Sequence, residues 1–134
     1  MKIGLFIPCY IDAFYPNAGI ATLELLEKLG QDVEYPMNQT CCGQPMANSG
    51  CNKDAAPAEA LFVKNFAKYD VIVMPSGSCT PSARDPSDAI EQPPELRPVR
   101  DHPFDPVELL HDSLKSAACP SPASPLTSVL PHIP

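Results

Sequence analysis

Apolar residues along the first eighty positions follow two alternating periods. Lys2–Pro8 carries Ile3, Leu5, Phe6 and Ile7 in a nearly continuous run, the pattern of a strand buried on both faces. From Pro16–Asn17 the period lengthens. Ile20, Leu23, Leu26 and Leu29 recur every three residues, with Leu25 widening the stripe, which predicts an amphipathic helix to about Leu29. Gly30 stands where a left-handed C-terminal cap belongs. Asp32–Tyr35 is a brief second strand, ended by Pro36. A second helix is predicted from about Asp54 to Lys68, with Ala58, Leu61, Phe62 and Phe66 on one side. Asp70–Met74 is the third strand, and Pro75–Ser78 the turn that follows it. Strands and helices alternating at this spacing predict βαβ crossovers around a parallel sheet.

The rest of the chain reads differently. Thirteen of the 18 prolines fall in residues 75–134, and Thr80–Ile90 lacks helix-forming residues. One helix is predicted there, from Asp105 to about Lys115. Asp105 suits its cap, Pro106 its first turn and Glu108 its N-terminal end, while Val107, Leu110 and Leu114 supply a stripe. The expected organisation is a cysteine-rich α/β unit over residues 1–90, a helical extension over 91–116 and a disordered, Pro-rich tail over 117–134. The α/β unit is expected to be a three-layer Rossmann-like half-domain with a short parallel sheet.

Charge narrows the choice of partners. The formal net charge of −7 argues against a nucleic-acid or anionic-membrane surface. No apolar run approaches the roughly 20 residues of a bilayer span. The apolar part of the N-terminus is too short for a signal peptide, and Pro8 stands where a small residue is wanted. The expected compartment is the cytoplasm, where thiols stay reduced, so the six cysteines call for a role other than disulfide formation.

Cys9 follows the first predicted strand, Cys41 and Cys42 follow the second after a polar loop, and Cys79 follows the third. A parallel sheet puts the carboxyl ends of its strands on one edge, where α/β folds build their sites. Four soft thiolates gathered there suit an iron–sulfur cluster. A structural zinc site uses the same donors, although zinc modules usually bring their ligands in close pairs. Any single cysteine can instead be a small buried hydrophobe, a reading that fits poorly with an adjacent pair in the polar stretch Asn38–Gly43. Gly43, Gly50 and Gly77 would let backbone N–H groups approach sulfur.

The spacing Cys9-x31-Cys41-Cys42-x36-Cys79, with Cys-Cys-Gly-Gln-Pro at 41–45 and Pro-Ser-Gly-Ser-Cys at 75–79, resembles the cysteine-rich CCG domain family. That family includes a cysteine-rich component of heterodisulfide reductase and the iron–sulfur subunits of glycolate and glycerol 3-phosphate oxidation. The segments Phe6–Tyr10, Gly19–Gly30 and Asn38–Cys51 carry the likeness, which is clear over residues 1–79 and fainter from Glu91 to Lys115. The resemblance implies Cys9, Cys41, Cys42 and Cys79 as cluster ligands. It also implies a cytoplasmic lactate utilization complex that oxidises L-lactate to pyruvate, with a ferredoxin-like iron–sulfur subunit and a third small subunit as partners. Glycolate and glycerol 3-phosphate are the alternative substrates. Ser82 replaces the last cysteine of the Cys-x-x-Cys motif of heterodisulfide reductase, so an ordinary four-cysteine [4Fe–4S] centre is the implied cofactor. Family members carry two CCG repeats and this chain shows one. The expectation is a truncated, frameshifted or degenerate copy lacking the second repeat, with a non-functional fragment as a further alternative.

Other residues carry less. Cys51 is read as a bystander thiol near the site, with a substitute ligand as the alternative, and Cys119 as an exposed thiol in the tail. Tyr10 and Tyr15 are read as shielding the first ligand loop or packing in the core, and Met37 and Met46 as making the pocket apolar. His102 and His132 lie in predicted loops with nothing to partner them, and His111 on a solvated helix face. No paired carboxylates suggest acid–base catalysis, and neither a phosphate-cradling glycine loop nor a dinucleotide fingerprint is present.

Overall fold

The computed structural model describes residues 1–85 and 94–113. Strands β1 (Lys2–Leu5), β2 (Asp32–Glu34), β3 (Val71–Val73) and β4 (Pro103–Phe104) form one parallel sheet in the order β2-β1-β3-β4. Ile3 lies opposite Val33 on one side and Val71 on the other, which fixes the register of the central strands. The unbroken apolar run of the first strand has a simple cause: side chains alternate, and both faces are covered. Ile3, Leu5 and Ile7 point to one face with Val71 and Val73, against Leu26 of α2 (Pro16–Lys28) and Leu109. Phe6, Ile72 and Met74 point to the other, against Phe62, Val63 and Phe66 of α4 (Asn52–Phe66) and Ala83 of α5 (Cys79–Arg84). This is the expected three-layer α/β arrangement.

The aromatic side of the core depends on one small residue. A Cβ at Gly4 would lie 2.6 Å from the Tyr69 ring and 2.8 Å from that of Phe66. Glycine lets those rings rest on the β1 backbone. The Phe6 ring then meets Phe62 and Phe66 edge-on, at centroid distances of 5.2 and 5.6 Å.

Several local expectations shift. Ile20 is exposed and Leu25 partly so, whereas Gly19, Thr22 and Leu26 form the inner face of α2. A Cβ at Gly19 would be 3.2 Å from Ile7, so glycine there sets how closely α2 approaches. Thr22 is tolerated inside because its hydroxyl donates to the Ala18 carbonyl at 2.8 Å. On α4 the buried side is Ala55, Glu59, Phe62, Val63 and Phe66, with Ala58 and Leu61 half-buried. Two short helices, α1 (Cys9–Phe14) and α3 (Gln44–Asn48), were not predicted; neither buries a residue fully. Contrary to expectation, a helix does follow Cys79. Pro81 is accommodated within the first turn of α5, where a missing N–H costs little.

After a 3-10 helix (Pro94–Asp101) and β4, Asp105 caps α6 (Pro106–Glu108). Its carboxylate accepts from the Val107 N–H at 2.9 Å, and Glu108 accepts from the Asp105 N–H at 3.0 Å, so a reciprocal capping box forms. The helix continues as a wide π turn, Leu109–Ser113. Leu109 is fully buried and Val107 is exposed, unlike the predicted stripe. Leu114, Lys115, the 117–134 tail and residues 86–93 lie outside the described residues. Among the described residues no helix is long and apolar enough to cross a membrane.

Candidate functional site

The strand order decides where a crevice opens. From β1 the chain passes over the Leu26 face through α2 to the edge strand β2, then returns past β1 to β3 over the opposite face through α4. Winding therefore reverses between β1 and β3, and open α/β sheets bind ligands beyond the carboxyl ends of strands at such a point. Cys9 lies just after β1 as the first residue of α1, and Cys79 just after β3 as the first residue of α5.

Cys41 and Cys42 reach this place through a pinned loop. The Gln39 amide oxygen accepts from the Ile7 N–H at 2.7 Å. Its nitrogen donates to the Leu5 carbonyl at 3.1 Å and the Pro36 carbonyl at 2.9 Å. One side chain thus caps the end of β1 and ties the loop to it. The sulfurs of Cys9 and Cys41 then stand 3.5 Å apart. Gly43 turns the chain into α3 with φ +88°, and its N–H donates to the Cys41 sulfur at 3.4 Å. A Cβ at Gly43 would also lie 3.1 Å from Glu59 and 3.3 Å from the Ala55 carbonyl oxygen. Both the backbone conformation and the close approach to α4 favour glycine.

Cys42 turns inward and is buried in the aromatic half of the core, in the same cluster as Cys79. Three groups near Cys79 organise its end of the site. Its backbone N–H donates to the Ser76 hydroxyl at 3.4 Å, and its sulfur lies 3.7 Å from the Gln44 amide oxygen. Gln44 in turn donates to the Ser78 carbonyl at 3.1 Å, joining α3 to the turn before α5. The electrostatics follow. Donation from the Cys42 thiol, helped by the Ser76 and Ser78 hydroxyls against the cost of burial, lowers the Cys79 pKa to about 6. As the donor, and buried, Cys42 is pushed up. Cys9 is raised by burial and by its Cys41 neighbour. The direction favours the thiolate form of Cys79, the form that binds metal.

The four sulfurs stand as two pairs, Cys9 with Cys41 and Cys42 with Cys79. Cys41 packs against the buried cluster that holds Cys42 and Cys79, which brings the two pairs to one place. Among the described residues, no three Cys, His, Asp or Glu side chains close round a point in the way one metal ion needs.

A family model, that of the CCG cysteine-rich domain, matches residues 3–82 and so spans all four of these cysteines. The chain belongs to the CCG cysteine-rich domain family. Among curated proteins it is similar to the lactate utilization protein A of Geobacillus thermodenitrificans, with 54% identity over 79 residues, 59% of this chain and 33% of that one. The Halalkalibacterium halodurans protein of the same name is 49% identical over 79 residues, 59% of this chain and 32% of that one. The Bacillus subtilis protein is 47% identical over 85 residues, 63% of this chain and 36% of that one. The matched part of the chain thus spans about a third of the length of these relatives. No solved structure matches.

The other candidates sort differently within this CCG domain. Cys51 is exposed at the cap of α4, its sulfur 3.9 Å from the Ser49 carbonyl. Tyr10 and Tyr15 are neither core residues nor a closed shield: both are 55% exposed and meet at a tilt in the open, with Phe14 beside Tyr10. Met37 is 85% exposed, so it cannot make the pocket apolar; Met46 is half-buried. His102 does find a partner, its Nδ1 lying 3.2 Å from the Tyr69 carbonyl. His111 is exposed, while His132 and Cys119 lie outside the described residues. Ser82 sits three residues beyond Cys79 on α5 and lines a polar groove of about 380 Å³ with Gln44, Ser78 and Asp85. Sequence reading missed Gln39, Gln44 and Ser76 as supports of the cysteines. The first two flank the cysteine pair in a polar stretch, which was the available signal. Glu59 and Arg100 had none, being 41 residues apart.

Proposed function

We propose that this CCG domain holds a [4Fe–4S] cluster on Cys9, Cys41, Cys42 and Cys79 and serves as an electron-transfer subunit of a cytoplasmic oxidoreductase complex. The complex oxidises L-lactate to pyruvate, and its other members are a ferredoxin-like iron–sulfur subunit and a third small subunit. The carrying observation is that Cys9 stands 3.5 Å from Cys41, and Cys41 packs against the buried cluster of Cys42 and Cys79, beside the β1/β3 switch point. The donor set fits the group. Four thiolates are the usual ligands of such a cluster. A single zinc ion, with bonds of about 2.3 Å, would draw all four into one tight tetrahedron. When bound, the cluster supplies one-electron transfer. The chain's own residues do the rest: the Gly43 N–H steadies the Cys41 sulfur, and Gln39 and Gln44 hold the ligand loops in place. The relatives' names support lactate over glycolate or glycerol 3-phosphate as substrate.

Anaerobic reconstitution with iron and sulfide tests this reading. The expected product is brown, with about four iron and four sulfide per chain. Cys41→Ser and Cys42→Ser each lose the colour, whereas Cys119→Ser keeps it. Colour retained in both replacements at the pair overturns the ligand assignment. Stoichiometric zinc without visible absorption indicates the structural-zinc alternative, and no bound metal of any kind indicates a site that does not assemble.

A further inference from the structure

Behind the cysteines lies a buried ion pair that the electron-transfer reading leaves unused. Glu59 of α4 is 5% exposed and Arg100 of the 3-10 helix 7% exposed, with Nη2 of Arg100 3.2 Å from Oε2 of Glu59. The other arm of the guanidinium, Nη1, donates to the Ala83 carbonyl of α5 at 2.8 Å. Burial lowers the Arg100 pKa, while the Glu59 charge opposes that shift. Withdrawing two charges from water is costly and is often no better for stability than an apolar pair, so the pair calls for a reason other than stability. Its position supplies one. The Glu59 side chain lies directly beneath the cysteine turn, since a Cβ on Gly43 would come within 3.1 Å of its Cγ. Ala83 lies four residues along the short helix that begins with Cys79.

We propose that Glu59 and Arg100 form a positioning strut that sets the Cys41–Gly43 turn against α5 and so holds Cys42 close to Cys79 in their shared cluster. Glu59 supports the turn from below, Arg100 fixes Glu59, and the same guanidinium holds the carbonyl end of the Cys79 helix. A forked, rigid guanidinium suits this task because it engages two fixed acceptors at once. Neither residue touches the reacting centre; both act through the cysteines. The inference rests on the cysteine-centre reading, but its primary test needs no cluster.

In the metal-free chain, the rate at which diamide traps the Cys42–Cys79 disulfide is followed by peptide mapping. Wild type is compared with Glu59→Gln and with the double replacement Glu59→Met/Arg100→Met, at a temperature well below each melting point. The apolar double variant is expected to melt near wild type yet trap the disulfide at least about fivefold more slowly, since loss of an ångström of alignment costs proximity-driven steps up to about a hundredfold. Glu59→Gln, which keeps size and shape, is expected to slow trapping to a lesser degree. After reconstitution and dithionite reduction the double variant is expected to show reduced iron per chain and a shifted electron paramagnetic resonance spectrum. Wild-type trapping rates in both variants overturn the strut. A wild-type chain that traps the disulfide quickly but takes up no iron overturns the cluster and leaves the strut standing.

Discussion

Gly43→Ala separates backbone strain from contact in the cysteine turn. At φ +88° any side chain pays the left-handed penalty, about 1–2 kcal/mol. The new Cβ also meets the Ala55 carbonyl oxygen at 3.3 Å and the Glu59 Cγ at 3.1 Å. The Glu59 methylene belongs to a side chain held by Arg100, and the carbonyl belongs to a helix, so neither yields freely. That contact adds about 1 kcal/mol, at the low end for overpacking. The sum is about 2–3 kcal/mol, or about 10–20 °C in Tm for a domain of this size. Gly50→Ala is the control: its φ is +77°, but nothing lies within 4 Å of the added carbon, so it carries the strain alone, about 1–2 kcal/mol. Thermal melts of wild type and both variants by circular dichroism, paired with iron content after reconstitution, read the difference. The expected order of destabilisation is Gly43→Ala well beyond Gly50→Ala, with iron uptake lost only in the first. Equal melting points for the two variants would refute the contact argument, and full iron uptake by Gly43→Ala would refute the claim that this turn sets the site.

Other consequences follow from the packing and the charges. Phe66→Ala removes a fully buried ring that touches Phe6, Phe62 and Tyr69 and is expected to cost about 3–5 kcal/mol in denaturant unfolding. Asp105→Ala opens the capping box of α6 and is expected to cost about 1 kcal/mol, read from the same curves. Glu34 accepts from Lys2, Lys68 and Tyr69 at the end of β2, and these partners hold its carboxyl down at about 2. Because the folded pKa lies below the unfolded one, its contribution is complete above about pH 4.5 and disappears as pH falls through about 2. The Tm of Glu34→Gln is therefore expected to fall less than that of wild type across this window, and parallel pH profiles would contradict the assignment. High salt is expected to shrink the difference, since the group is solvent-facing.

What the amino-acid order determined alone was whatever depends on neighbours close along the chain. Short apolar runs and helical apolar patterns marked the three main strands and the α2 and α4 helices, and the Asp105–Glu108 cap was legible at once. The cysteines could be assigned to loops after successive strands, which in a parallel sheet implies a shared edge. Where local patterns stopped, tertiary structure took over. Gly19 and Thr22 displaced Ile20 from the inner face of α2 because helix-to-sheet distance is set by Ile7, a residue of another element. Strand β4 is too short to show a period, and it exists because β3 offers it hydrogen-bonding partners. The pairing of Cys9 with Cys41 and of Cys42 with Cys79 depends on winding direction, and the burial of Arg100 against Glu59 on a contact 41 residues long. Such contacts form only once the chain has closed on itself, and nothing in a local pattern encodes their partners.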